Sequence, residues 1–119
     1  MDRLIKAWQN SVRAFRKLLV SETAFQQELA LLVLAVPAAW FLSTSWRGYW
    51  LLVGAVLLLI MVEVLNTSIE AACDAVSREF HIDIQLAKDC GSLAVLISVL
   101  IALIVWGLAV VETICGVPL

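Results

Sequence analysis

Apolar positions along the 119-residue chain follow two different rules. Over residues 1–20 they recur at helical spacing. At 100° per residue, Leu4, Trp8, Val12, Phe15 and Leu19 fall on one face about 80° wide, with Lys6, Arg13 and Lys17 opposite. A basic amphipathic helix with tryptophan on its apolar side suits a surface lined by anionic lipid. The same face would also suit packing on the protein's own membrane spans. Further along, apolar residues become nearly continuous in three stretches, at about 24–43, 49–71 and 91–111. Each is close to the ~20 residues needed to cross ~30 Å of hydrocarbon. Ser21 followed by Glu22 reads as the N-cap of the first span. Pro37 lies inside that span, where a membrane helix tolerates it with a kink. Residues 43–48 read as a short turn, with Trp46, Tyr49 and Trp50 at the interfacial level. Residues 74–88 are polar again and read as a second connection. The expected architecture is an all-α integral membrane domain, with a surface helix and three transmembrane helices.

Composition agrees. Hydrophobic residues make up 63% of the chain and charged residues 15%, whereas soluble domains are typically about half apolar and a quarter charged. The length suits a single domain. The net charge of −2 matters less than its placement. Arg3, Lys6, Arg13, Arg16 and Lys17 crowd the N-terminal segment, Arg78 and Lys88 fall in the 74–88 region, and Arg47 stands alone in the 43–48 turn. The excess of positive charge places the N-terminus and the 74–88 region in the cytoplasm and the C-terminus on the other side. The apolar stretch near Ala35, Pro37, Ala38 and Ala39 superficially suggests a signal-peptide cleavage region. The patterned segment before it and the two spans after it argue against cleavage. Cys73, Cys90 and Cys115 form no CxxC pair and no metal-ligand spacing with the single His81, and read as unpaired thiols.

The second span carries acids that an ordinary membrane helix would exclude. Glu63 follows a long apolar run, and an ionised residue at a helix centre costs on the order of 3 kcal/mol even on the mildest scale. Glu70 and Asp74 follow at i+7 and i+11, each within about 20° of Glu63 around the helix, with Asn66 about 60° to one side. At ~1.5 Å per residue, Glu63 lies about 21 Å from Tyr49 along the axis and Glu70 about 31 Å, both toward the cytoplasmic boundary. Glu22 and Glu28 at the start of the first span, and Lys88 and Asp89 at the start of the third, approach that same boundary. Charges at helix ends can simply snorkel into headgroups, and Glu22, Glu79 and Asp83 taken singly fit that description. The one-sided stripe that begins inside the apolar register does not. Paired carboxylates near a lysine suit a hard cation and phosphate, since Mg²⁺ is usually held by one or two carboxylates together with substrate phosphates. A deep carboxylate can also act as a general base. The residues by themselves therefore point to metal-assisted chemistry, or to cation or proton coupling, at the cytoplasmic interface.

Familiar nucleotide motifs are missing. There is no GxxxxGK[ST] loop, and the Gly-rich loop, HRD and DFG elements of protein kinases are absent. The chain instead resembles the bacterial diacylglycerol kinases, an integral membrane family. Glu63-Val-Leu-Asn-Thr-Ser-Ile-Glu-Ala-Ala-Cys-Asp74 resembles their ExxNxxIExxxD signature. His81 and the Ala87-Lys-Asp-Cys-Gly-Ser92 segment resemble the element opening their third span, and Glu22-Thr-Ala-Phe-Gln-Gln-Glu28 the element before their first. The similarity covers nearly the whole chain.

The resemblance implies a homotrimer in the bacterial inner membrane that moves the γ-phosphoryl of MgATP to the primary hydroxyl of diacylglycerol, with sites between subunits at the cytoplasmic face. Membrane lipids are its surroundings, and no nucleic-acid partner is expected. Position by position, Glu63 corresponds to the general base, Glu22 and Glu70 to Mg²⁺ ligands, and Lys88 to a contact with ATP phosphates. Asp89 and Asp74 correspond to orienting groups, Glu28 to a further acid near the nucleotide, and Asn66 to the residue that aligns the reacting groups. Arg3, Lys6 and Ser11 match surface-helix positions lining the substrate or nucleotide site. Two departures stand out: Gln26 occupies a place where some relatives carry Arg, and Asp74-Ala75 replaces a frequent Asp-Arg pair, with Arg78 one turn later.

A rival within the family is phosphorylation of undecaprenol. Gram-positive relatives of that kind read KDxAAGAV where this chain reads Lys88-Asp-Cys-Gly-Ser-Leu-Ala-Val95, which favours diacylglycerol. A rival from another class is a non-enzymatic cation- or proton-conducting subunit, since intramembrane acids also mark such pathways. That reading leaves Asn66 and Lys88 beside the acids unexplained.

Overall fold

A computed structural model describes residues 1–116 as four helices: α1 (Asp2–Ser21), α2 (Thr23–Leu42), α3 (Trp46–Val76) and α4 (Ile82–Cys115). Three of them, α2, α3 and α4, are long and apolar enough to cross a membrane. These helices cover the apolar stretches the sequence marks out, and they extend further. At ~1.5 Å per residue, the 31 residues of α3 run about 46 Å and the 34 of α4 about 51 Å, well beyond a ~30 Å hydrocarbon layer. The polar 74–88 region is therefore helix at both ends, and only 77–81 leave helical geometry. Its polar composition marks where the helices stand out of lipid, not where they stop.

The junctions explain the boundaries. Glu22, in extended conformation, is the one residue between α1 and α2. Its N–H donates to the Leu18 carbonyl at 2.9 Å, and its carbonyl accepts from the Gln26 N–H at 3.1 Å. Ser21 is not the cap expected of it: it is the last residue of α1, and its hydroxyl donates back to the Lys17 carbonyl at 2.7 Å. Glu22 takes the N-cap position, without a side-chain cap bond. α2 continues through Pro37 to Leu42. Ser45 caps α3 by accepting from the Gly48 N–H at 3.1 Å, so the turn after α2 is shorter than residues 43–48. α4 ends at Gly116, whose left-handed φ of 68° suits glycine and turns its N–H onto the Glu112 carbonyl.

α3 is the central element, packed on both α2 and α4. The α3–α4 pair is antiparallel: Trp106 meets Leu52, Gly91 meets Asn66 and Lys88 meets Asp74. Ala39, Leu52 and Val53 are buried together near the Ser45 end, with Leu32, Tyr49, Val105 and Trp106 packed around them. The Trp106 indole N–H donates to the Leu52 carbonyl at 3.0 Å, giving a polar group inside the bundle a partner. Most other large apolar side chains on the spans face outward, as they should where the solvent is lipid. α1 touches α2 alone, chiefly through an edge-on contact of Phe15 and Phe25. The rest of its apolar face, including Leu4 and Trp8, is uncovered by the chain's own spans.

Candidate functional site

The stripe on α3 exists as a structural unit. Asn66 is buried, and its amide Nδ2 donates to Glu70 Oε1 at 3.4 Å. Its Oδ1 is buried with no partner among the described residues. Glu63, one turn deeper, is half-buried and close enough to Glu70 and Glu22 to feel their charge. Glu28 on α2 feels that of Glu63 in turn, and its Oε1 is also buried without a partner. An acceptor oxygen hidden from water without a donor costs about 1–3 kcal/mol. Two such oxygens at one end of the bundle mark a place built for a ligand's donors or cation.

α4 closes the stripe from the other side. Lys88 Nζ donates to Asp74 Oδ1 at 2.8 Å, tying the far end of α3 to the start of α4. Both side chains keep over a third of their surface exposed, so the pair remains open to a phosphate in water. One turn along α4 from Lys88, Gly91 is buried directly against the Asn66 side chain, and a Cβ there would overlap Asn66 Oδ1. Glycine at this position lets the helices approach until the carboxamide is clamped.

A hollow of about 390 Å³ lies beside this stripe, lined by Glu22, Thr67, Glu70, Asp74 and Arg78 among others. The acids expected to hold the metal, Glu22 and Glu70, thus line one hollow together with Arg78. Among the described residues no three acids, histidines or cysteines converge into a closed metal cage. The donor set fits instead a cation held by one or two carboxylates and completed by phosphate oxygens. Asp89 is exposed on α4 beside Lys88. Arg3, Lys6 and Ser11 stand exposed on α1, with the Ser11 hydroxyl bonded to the Ala7 carbonyl; a single chain does not bring them to the hollow. His81 is the exposed N-cap position of α4, and the three cysteines are free.

Several contributors are not singled out by sequence patterns. Arg78 lines the hollow one turn after Asp74, which supplies the positive charge that Ala75 lacks. Gln26 uses its amide to bond the Leu19 carbonyl at 2.8 Å, gripping the end of α1. Gly91 acts only through its lack of a side chain. The first two are signalled by departures from the family pattern; the third becomes apparent only when α3 and α4 are placed together.

Comparison with known proteins finds relatives along most of the chain. The family model for prokaryotic diacylglycerol kinase matches residues 9–110. The diacylglycerol kinase of Escherichia coli K12 is 40% identical over 104 residues, which is 87% of this chain and 85% of that protein. Those of Haemophilus influenzae and Pseudomonas aeruginosa are 33% and 34% identical, covering 90% and 89% of this chain and 91% and 86% of their own lengths.

Proposed function

Because the chain belongs to the prokaryotic diacylglycerol kinase family, we propose that this membrane-embedded lipid kinase transfers the γ-phosphoryl of MgATP to the primary hydroxyl of diacylglycerol, yielding phosphatidic acid and ADP. The observation that carries the reading is the α3 stripe of Glu63, Asn66, Glu70 and Asp74, faced from α4 by Lys88 and Gly91. The positions of positive charge support an inner-membrane orientation with this end in the cytoplasm, where ATP is, and the C-terminus in the periplasm.

Each residue has a separate task. Glu63, the deepest acid, accepts the proton as the lipid hydroxyl oxygen forms its bond to the γ-phosphorus and the bond to ADP breaks. Asn66, held by Gly91 and bonded to Glu70, aligns the reacting groups. Glu22 and Glu70 would hold Mg²⁺, and Glu28 adds a further acid near the nucleotide. The ion, when bound, neutralises charge on the transferring phosphates. Lys88 binds phosphate oxygens, and Asp74 and Asp89 orient it. Positioning and charge neutralisation of this kind supply most of the catalysis in phosphoryl transfer. Arg3, Lys6 and Ser11 belong to a site shared within a homotrimer, reached when α1 lies over a neighbouring subunit. The uncovered apolar face of α1 supports that arrangement. Diacylglycerol enters sideways from the bilayer with its acyl chains still in lipid.

Purified protein in mixed micelles, given labelled MgATP with diacylglycerol and undecaprenol in parallel, tests the assignment. Labelled phosphatidic acid with little undecaprenyl phosphate is the expected result. The reverse preference would move the substrate to a polyisoprenoid alcohol, and no product from either would refute the kinase reading.

A further inference from the structure

At the end of the bundle opposite the acidic stripe, Trp40, Trp46 and Tyr49 come together where α2 gives way to α3. Their ring centroids lie 5.7, 6.1 and 6.0 Å apart, and their planes cross at 63°, 79° and 82°. Three nearly perpendicular planes at that spacing are three walls of a box. The rings pack edge-to-face, and a cation seated beside them would come within the ~6 Å reach of a cation–π contact. The rings line a cavity of about 260 Å³ whose remaining lining is Ser43, Thr44 and Ser45. Trp40 and Trp46 are largely exposed, so the box opens outward. Edge-to-face packing favours such a cluster on its own, and the cavity beside it adds room for a ligand.

Charge around the box has two signs. Arg47 follows Trp46 and is exposed. Glu112 lines the adjoining hollow on the other side of residues 43–45. Aromatic walls with hydroxyls between them suit an alkylammonium group, and an exposed guanidinium on the residue next to one of the walls suits the phosphate attached to it. We propose that the Trp40–Trp46–Tyr49 box binds the protonated amine of a phospholipid headgroup in the leaflet opposite the kinase site. The lipid phosphate meets Arg47, and its acyl chains run down the apolar flank of the bundle. The site is separate from the phosphoryl-transfer machinery and does not depend on the substrate assigned to it.

Native mass spectrometry of the intact protein from detergent micelles tests this with two lipids of identical tails: phosphatidylethanolamine, and phosphatidylethanol, which lacks the amine. Phosphatidylethanolamine should be retained roughly tenfold more strongly, the scale of a desolvated cation–π contact. Trp40→Leu should abolish the difference, and Tyr49→Phe, which keeps the aromatic wall, should preserve it. Trp46→Leu repeats the test at a more exposed position should Trp40→Leu unfold. Equal retention of the two lipids by the parent, or a preference that survives loss of a tryptophan wall, would overturn the proposal.

Discussion

Gly91 of α4 stands against the Asn66 carboxamide of α3 with no room for a methyl group between them. Because Asn66 is buried, its side chain has little freedom to move aside. Gly91→Ala should therefore push Asn66 away from Glu70. Overpacking of this kind costs about 1–3 kcal/mol, and a misplaced aligning group should lower turnover by roughly ten- to a hundredfold. If the effect runs through Asn66, Gly91→Ala should add little to the loss already caused by Asn66→Ala. Turnover of the two single variants and the double variant, with thermal unfolding measured alongside, checks this coupling.

Lys88 and Asp74 make opposite demands on the two kinds of assay. Their ion pair is over a third exposed, so breaking it should change stability little. Lys88→Met should nonetheless cut turnover by about a hundredfold or more, because the charge proposed to bind the phosphates is gone. Thermal unfolding and phosphate transfer measured on one preparation separate the roles. A large drop in stability with preserved turnover would make the pair a structural tie.

Glu63→Gln keeps the shape of the deepest acid and removes its ability to take a proton. Turnover should fall by about 10²–10⁴-fold while MgATP affinity is kept. Rapid kinetics with saturating diacylglycerol provide the measure, and turnover within about tenfold of the parent would reassign the base.

Glu70→Gln should raise the Mg²⁺ concentration needed for half-maximal activity, since a neutral amide is a poorer partner for a hard cation. A Mg²⁺ titration at fixed ATP reads the shift directly. An unchanged titration would remove Glu70 from the metal shell.

Gln26→Ala should loosen the end of α1 without touching the acids. The lost amide contact to the Leu19 carbonyl is worth about 0.5–1.5 kcal/mol. Hydrogen exchange over residues 15–21 should quicken while the interior of α3 keeps its protection.

Much of this arrangement is legible in the order of residues. Three apolar runs become α2, α3 and α4, and the i, i+7, i+11 spacing of Glu63, Glu70 and Asp74 becomes one side of α3 as helical geometry requires. The misreadings have physical causes. Polar residues 74–76 and 82–88 resemble loop because a helix that leaves lipid changes composition without changing backbone. Ser21 resembles a cap because its chemistry permits that role, but its hydroxyl satisfies the Lys17 carbonyl instead. The contacts of Gly91 with Asn66 and of Gln26 with Leu19 join different helices, so no local pattern can encode them.

The single-residue corner at Glu22 has a further consequence. An amphipathic helix and an acid proposed to hold the metal are joined there with no slack between them. Any change in how deeply α1 settles must be taken up by the Glu22 backbone, and so reaches its carboxylate. A tilt of α1 against the bundle would thereby carry over to the site proposed for the metal, so the corner makes the surface helix and that site one mechanical unit.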